Sequence, residues 1–294
     1  MTGSLQIAWA ACAACGSVAP SHPGTEPSQL SSAADARMVA IPGGPYIAGS
    51  TPEERAVAYD DYFASSSRDT AREHSWFANE ADRHTASLPA FRIDLLPVTQ
   101  VEYAEFVAQG HAAAPSIDES TWHAQGFQHD YASQVARFVW HDGRPPIGHE
   151  DHPVVLVAYA DAERYCAWRG RTVGMPRRLP TSDEYEKAAR GASGSSYPWG
   201  NTYEASKLNS AVAGPGDTSS VGTYLSGSSP FGVLELAGNV FHWTSTAAPN
   251  EPGEILVKGS AWDDYAGVGR GASGHGRPPA IRHVIVGFRC ASDG

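Results

Sequence analysis

The chain has 294 residues, 41% of them hydrophobic and 18% charged, which is enough apolar material for one large core or two modest ones and too much for a disordered or collagen-like chain. Its 21 Lys plus Arg against 32 Asp plus Glu give a formal charge of −11, which argues against nucleic acid and anionic membrane surfaces as partners. No apolar run reaches the roughly eighteen residues of a transmembrane span, and 30 Gly, 21 Pro and eight Trp suit a turn-rich body with aromatic plates rather than a helical bundle.

In chain order, Leu5 to Ala14 is a short apolar stretch containing Cys12 and running up to Cys15, and it is followed by a Ser- and Pro-rich segment. It resembles the signal segment of a bacterial lipoprotein, with Ala13-Ala14-Cys15 as the small-residue cleavage box and Cys15 as the lipid-bearing residue. On that reading residues 1–17 are a signal, 18–37 a linker and 38–294 one domain, exported to the periplasm or the outer envelope. A plain tail is the alternative; a redox or metal Cys-x-x-Cys is disfavoured because no strand precedes it. Met38 to Gly49 reads as a strand broken by a Pro-Gly-Gly turn, and Thr51-Pro-Glu-Glu54 as a capped helix start. Ser65 to Thr85 is polar apart from Trp76 and Phe77 and is expected to run over the surface, and Leu88 to Val98 is expected to be a strand. Thr99-Gln-Val-Glu102 opens a second helix, ending near Gly110. From His111 to Pro153 irregular loops are expected, then an extended Val154 to Val157, a helix over Asp161 to Arg169 stopped by Gly170, and a further helix from Thr181 to Arg190. The remainder is Gly-rich, with short apolar pieces.

Several of these blocks occur in an order shared with a known family. Met38-Val-Ala-Ile-Pro-Gly-Gly with Gly49-Ser50, Phe91-Arg-Ile-Asp with Pro97-Val-Thr-Gln, His152-Pro-Val-Val and Arg178-Leu-Pro-Thr-Ser-Asp-Glu-Tyr-Glu-Lys-Ala-Ala-Arg-Gly191 come first. Tyr197-Pro-Trp-Gly-Asn201, Ser229-Pro-Phe-Gly, Ala237-Gly-Asn-Val-Phe-His-Trp243, Val257-Lys-Gly-Ser-Ala-Trp262 and Gly287-Phe-Arg-Cys290 follow. The chain resembles a formylglycine-generating enzyme, or sulfatase-modifying factor, domain over roughly residues 38 to 291. The resemblance implies an α+β fold, a variant of the C-type lectin fold with a few helices, short twisted sheets and little regular structure. It implies a disulfide between Cys166 and Cys290, against the alternative of two separate thiols, and Trp199 and Trp243 as core positions. It also implies calcium held by Asn209, the Ser210 carbonyl, Asp217 and the Ser219 carbonyl, against a metal-free Asx-turn pair. A second family calcium site falls on Glu235 and His242, where an imidazole replaces a carboxylate; that site is lost or altered to suit a softer ion.

The active-site block departs from the family. The resembled enzyme binds copper through two cysteines; here the first position is Asp263 and the second falls among Ala266, Gly267 and Val268, so formylglycine generation by that mechanism is not expected. Three readings remain. In the first the domain is a binding or accessory module for a small molecule, peptide or partner protein: Trp262, Asp263, Asp264 and Tyr265 line a cleft suited to a cationic ligand, and Arg270 stands nearby with Arg277 and Arg282 to balance the acid or hold a carboxylate. In the second it is a non-haem iron or copper oxidase or oxygenase, like relatives that make sulfoxides or tailor siderophores, with ligands drawn from His242, His275 or His283 and Asp263 or Asp264. The third is a structural envelope component. His123, His129, His141, His149 and His152 cluster in sequence without ligand-like spacing, and Asp60-Asp61 with Glu53-Glu54 reads as a solvated helix face.

Overall fold

The computed structural model describes residues 38–127 and 130–294, so the signal segment with Cys12 and Cys15, the linker and His129 lie outside the described residues. Three sheets carry the strands. β1 (Met38–Ile41), β4 (Phe91–Asp94) and β9 (Ala291–Asp293) form one antiparallel sheet in the order β1-β4-β9, so the first and last strands flank β4 on its two sides. β2 (Gly44–Ala48) pairs with β3 (His84–Leu88), and β5 (Phe241–Ala247), β6 (Ile255–Lys258), β7 (Gly274–Arg277) and β8 (Val286–Gly287) form the third sheet in the order β7-β6-β5-β8. The helices are α1 (Pro52–Ser66), α2 (Thr70–Glu73), α3 (Gln100–Ala108), α4 (Glu119–Ala124), α5 (Tyr131–Gln134), α6 (Tyr159–Val173) and α7 (Ser182–Arg190).

Local chemistry sets three of the helix starts. Thr51, Thr99 and Thr181 each accept the amide of a Glu three residues on, and each of those Glu side chains accepts the Thr amide in return, so two otherwise orphaned donors are satisfied at every start. Several expectations need correction. Gly170 does not stop helix α6, which continues to Val173 and is closed by Gly174 in the left-handed conformation. Gly170 is glycine for packing, since an added Cβ would stand 2.5 Å from the Arg177 amide nitrogen. The strand expected over Leu88 to Val98 is split between β3 and β4, with Pro89 and Ala90 turning the chain between them. The His111 to Pro153 stretch holds the short helices α4 and α5, and Val154 to Val157 is buried without joining a strand. The polar run from Ser65 to Thr85 is not merely superficial: Phe77 is fully buried and Glu80 nearly so.

The main core gathers aromatic rings between α3, α6 and the C-terminal segment. Tyr103 stacks on Tyr165 at 5.5 Å, and Phe288 meets both rings edge-on. Trp243 is fully buried and donates its indole N–H to the Val157 carbonyl at 3.0 Å. Trp199, expected in the core, is half-buried and lies parallel to Tyr197 at 5.3 Å. A disulfide joins Cys166 on α6 to Cys290 just before β9, with Cα atoms 5.6 Å apart and a sequence separation of 124. In the chain-entropy account such a closure contributes on the order of 4–5 kcal/mol. The architecture is α+β with short sheets joined by long irregular connections, as the resemblance implied.

Candidate functional site

The connection from β6 to β7 carries the residues on which the sequence reading centred. It opens at Gly259, whose φ of +88° few side chains adopt, and tightens at Ala261, which donates its amide to Asp264 Oδ2 at 2.8 Å. The Asp264 carbonyl in turn accepts the Ala211 amide at 2.9 Å. Asp264 is thereby fixed from both its main chain and its side chain.

A cleft of about 580 Å³ opens beside it, lined among others by Asp264, His275, Arg277, Trp76, Asn79 and Glu251. Of the four cluster residues, Asp264 lines this cleft. Trp262 instead stacks on Phe138 at 6.1 Å beneath the Arg137 guanidinium, and Tyr265 meets Tyr62 edge-on at 5.8 Å. Asp263 is partly buried next to Asp264. Burial pushes the Asp264 carboxyl well above the usual carboxylate range, and the like charge of Asp263 adds to the effect, against the Ala261 amide and Arg277. His275 meets Trp76 and Phe241 edge-on, and its Nε2 has no hydrogen-bond partner. Burial, then the charges of Arg277 and Lys258, push its imidazole down to about 3, so the ring is neutral.

Other expected site residues lie elsewhere. Arg270 is buried in an ion pair with Glu80 and lies over the Phe77 ring, and it lines a separate cavity of about 390 Å³ with Asp61 and Tyr197. Asp61 therefore belongs to a cavity wall rather than to a fully solvated face. His242 is fully buried: its Nδ1 lies 2.9 Å from the Tyr185 hydroxyl, and the Arg289 guanidinium faces its Nε2. Burial, followed by the Arg289 charge, holds it far below the ordinary histidine range. Glu235 accepts the Gly222 amide and the Asn239 side-chain amide, while Arg289 donates to the Leu234 and Glu235 carbonyls. The Arg289 guanidinium thus engages the Leu234 and Glu235 carbonyls beside the buried His242. His283 packs its ring against Trp122 and Phe127 and accepts the Ile285 amide.

Asn209, Ser210, Asp217 and Ser219 are gathered on one loop. Asn209 Nδ2 donates to the Asp217 carbonyl and its Oδ1 is buried without a hydrogen-bond partner. The Asp217 carboxylate faces His149 at 3.3 Å and Arg137 at 3.7 Å, and the Ser219 carbonyl accepts from Asn239. Gly238, with φ +80°, permits the close approach, since a Cβ there would stand 2.6 Å from the Asn209 carbonyl oxygen. Among the described residues no three His, Cys, Asp or Glu side chains are gathered as a metal centre requires. Nor is any helix among them long and apolar enough to cross a membrane.

Trp76, Asn79 and Glu251 were not legible as site residues. Trp76 was visible as an aromatic anchor in a polar run, but nothing local indicated that it faces β7 from some two hundred residues away in sequence.

Residues 24–294 match the family model described as the sulfatase-modifying factor enzyme 1-like domain. The hercynine oxygenase of Mycolicibacterium smegmatis is 28% identical over 288 residues, which cover 87% of this chain and 61% of the relative, so the chain spans about three fifths of that protein's length. The inactive C-alpha-formylglycine-generating enzyme 2 of Mus musculus is 30% identical over 306 residues, 90% of this chain and 88% of the relative. Among solved structures, PvdO from Pseudomonas aeruginosa superimposes with a TM-score of 0.65 at 22% identity, covering 87% of this chain and 94% of that one, which shows a shared fold.

Proposed function

The chain belongs to the sulfatase-modifying factor family, and we propose that it acts there as a binding member whose cleft takes a cationic group, rather than as a formylglycine-generating oxidase. One observation carries this reading: Asp264 and Glu251 stand with the Trp76 ring around one cleft in which Arg277 is the cation that opposes them. Carboxylates beside an aromatic face suit an ammonium or guanidinium through charge and cation–π attraction. The resemblance to a relative named as inactive is consistent with the reading.

The donor set does not fit the family's copper centre. Soft thiolates hold Cu(I), whereas the first thiolate position is Asp263, and Cys166 and Cys290 are consumed in the disulfide. A 2-His-1-carboxylate iron site could not draw on His242, which is committed to Tyr185 and faces Arg289. Calcium fits the Asn209 loop, where the unpartnered Oδ1 of Asn209, the Ser210 carbonyl, the Asp217 carboxylate and the Ser219 carbonyl offer only hard oxygen donors. Asp217 would have to leave His149 and Arg137 to join them. Export with lipidation at Cys15 remains part of the proposal, supported by the disulfide, which suits an oxidising compartment.

A second reading, an iron- or copper-dependent oxidoreductase, is favoured by the unpartnered Nε2 of His275 in the same cleft as Asp264 and by the relative named hercynine oxygenase. Calorimetric titration with arginine amide and with simple alkylammonium ions tests the first reading. Saturable binding that falls about tenfold or more in Asp264→Asn and several-fold in Trp76→Ala supports it. Absence of binding by every cation, in a protein of unchanged thermal stability, overturns it.

A further inference from the structure

Residues 51–80 leave the body of the fold and return to it through a narrow neck. The Ser50 amide donates to the Ala81 carbonyl at 2.9 Å and the Ser50 carbonyl accepts the Arg83 amide at 3.0 Å, so the two ends of the excursion are stitched side by side. Gly49 permits the approach, since a Cβ there would stand 2.4 Å from the Ala81 carbonyl oxygen. Between the ends lie α1 and α2, which hold each other: Arg72 pairs with Asp60 at 2.9 Å, and Tyr62 meets Trp76 edge-on at 5.3 Å.

The attachment of this unit to the body is uneven along α1. Its N-terminal half is pinned beside the neck by the Glu54–Arg83 and Arg55–Asp82 ion pairs and by the Tyr59 hydroxyl, which accepts the Phe77 amide at 3.1 Å. Phe77 is fully buried and Glu80 is ion-paired with Arg270, so this return segment is a firm foot. The far end is held by less. Of the fifteen residues of α1, Ala58 and Tyr62 are the buried ones, and with Ser65 they make an i, i+4, i+7 stripe turned to residues 265–267. There Ser65 Oγ accepts the Ala266 amide at 3.2 Å, and Tyr62 meets Tyr265 edge-on at 5.8 Å. A helix end that buries so little apolar surface belongs to the low-stability part of a fold.

The position of α1 matters because it is a partition. The neighbouring stripe of Glu53, Val57 and Asp61 walls the cavity of about 390 Å³ shared with Tyr197, while His74, Ser75 and Trp76, just beyond α2, wall the cleft of about 580 Å³. Beneath the partition Ala266, Gly267 and Val268 are buried, the stretch on which the second family thiolate position falls. We propose that α1 and α2 form a hinged cover that turns on the stitched neck and the Phe77–Glu80 foot, and that its lifting uncovers residues 265–267 and joins the two cavities into one groove. The ion pairs of the cover lie within it or at the neck, so lifting the far end costs the Ser65–Ala266 hydrogen bond and the Tyr62–Tyr265 contact without parting a charge pair. The cover governs access and is independent of which chemical group the cleft binds.

Residue-resolved hydrogen exchange on the intact protein tests this. The amides of Ala266, Gly267 and the last turn of α1 are expected to exchange through one shared opening, about tenfold or more faster than the buried amides of α6. Gly267 is the decisive reporter, because its amide donates to the Tyr197 hydroxyl, which is not part of the cover. Ser65→Ala is expected to speed Gly267 exchange by about tenfold while leaving α6 unchanged. In a separate variant, Ala266→Cys, peptide mapping is expected to find the new thiol alkylated by a bulky maleimide at that same opening rate. Gly267 exchange that keeps pace with α6, acceleration by Ser65→Ala confined to Ala266, or a Cys at 266 that resists alkylation until the whole chain unfolds would each overturn the cover.

Discussion

The Tyr185 hydroxyl lies 2.9 Å from His242 Nδ1 in a fully buried pair, and the Arg289 guanidinium faces the other ring nitrogen. A histidine so enclosed is a packing and hydrogen-bonding residue. His242→Ala is therefore expected to lower stability by about 2–4 kcal/mol through the cavity and the orphaned Tyr185 hydroxyl. Cation affinity at the cleft should be unchanged in the folded fraction. Chemical denaturation with a parallel binding titration checks both; a lost ligand affinity at unchanged stability would return His242 to the site.

Reduction should expose what the Cys166–Cys290 bond contributes. The paired variant Cys166→Ala with Cys290→Ala is expected to unfold with a free energy lower by about 4 kcal/mol, and thiol titration of the native protein should find neither of these sulfurs free until denaturant and reductant act together. Equal stability of the two proteins would mean that the aromatic packing around Tyr165 and Phe288 carries the closure by itself.

Glu102 supplies a pH signature. It caps α3 by accepting the Thr99 amide at 2.7 Å, yet burial pushes its carboxyl up to about 7. The folded chain then keeps a proton that the unfolded chain has released, so this contribution is greatest in acid and is lost as pH rises from about 4.5 to about 7. Asp94, pushed up to about 6 by burial, adds in the same direction. Glu102→Gln retains an acceptor for Thr99 and should flatten that slope, raising stability at pH 8 by about 1–3 kcal/mol. Urea midpoints measured from pH 5 to pH 8 give the comparison, and an unaltered slope contradicts it.

Calcium should raise the melting temperature through the Asn209 loop. At a hundred times the dissociation constant the gain is about 2.7 kcal/mol. Asp217→Asn should remove it, because the only carboxylate of the proposed donor set is lost. Melting curves that coincide in calcium and in chelator dismiss the site.

The division between what was legible and what was not follows the range of the interactions. The starts of α1, α3 and α7 were readable because a Thr and a Glu three residues apart satisfy each other within one turn. The Cys166–Cys290 pairing came from the family resemblance, and the structure contains it. Gly170 misled because its missing side chain answers to the Arg177 amide, a tertiary contact, and not to a helix end. Asp264 was named from its block, but its cleft was not, since Trp76, Glu251 and His275 reach it from three separated segments. The burial of His242 against Arg289 is equally non-local, and a histidine in a strand block looks the same in sequence whether it holds a metal or a tyrosine.

Asp264 makes the cleft's ligand preference pH-dependent. Burial and Asp263 raise its carboxyl, so the free cleft holds a proton that a bound cation displaces. Affinity for arginine amide is expected to rise as pH increases from 6 towards 9, with proton release on binding that shows as a buffer-dependent calorimetric enthalpy. Asp264→Asn should bind weakly and without that dependence.

The most direct test of a cation-binding cleft against a redox centre is elemental mass spectrometry of the natively purified protein, with Asp263→Ala, His275→Ala and His242→Ala alongside. The cation-binding account predicts iron and copper far below one per chain, the same in all four proteins. Near-stoichiometric iron or copper that disappears in Asp263→Ala or His275→Ala would contradict it and make the domain a metal-dependent oxidoreductase.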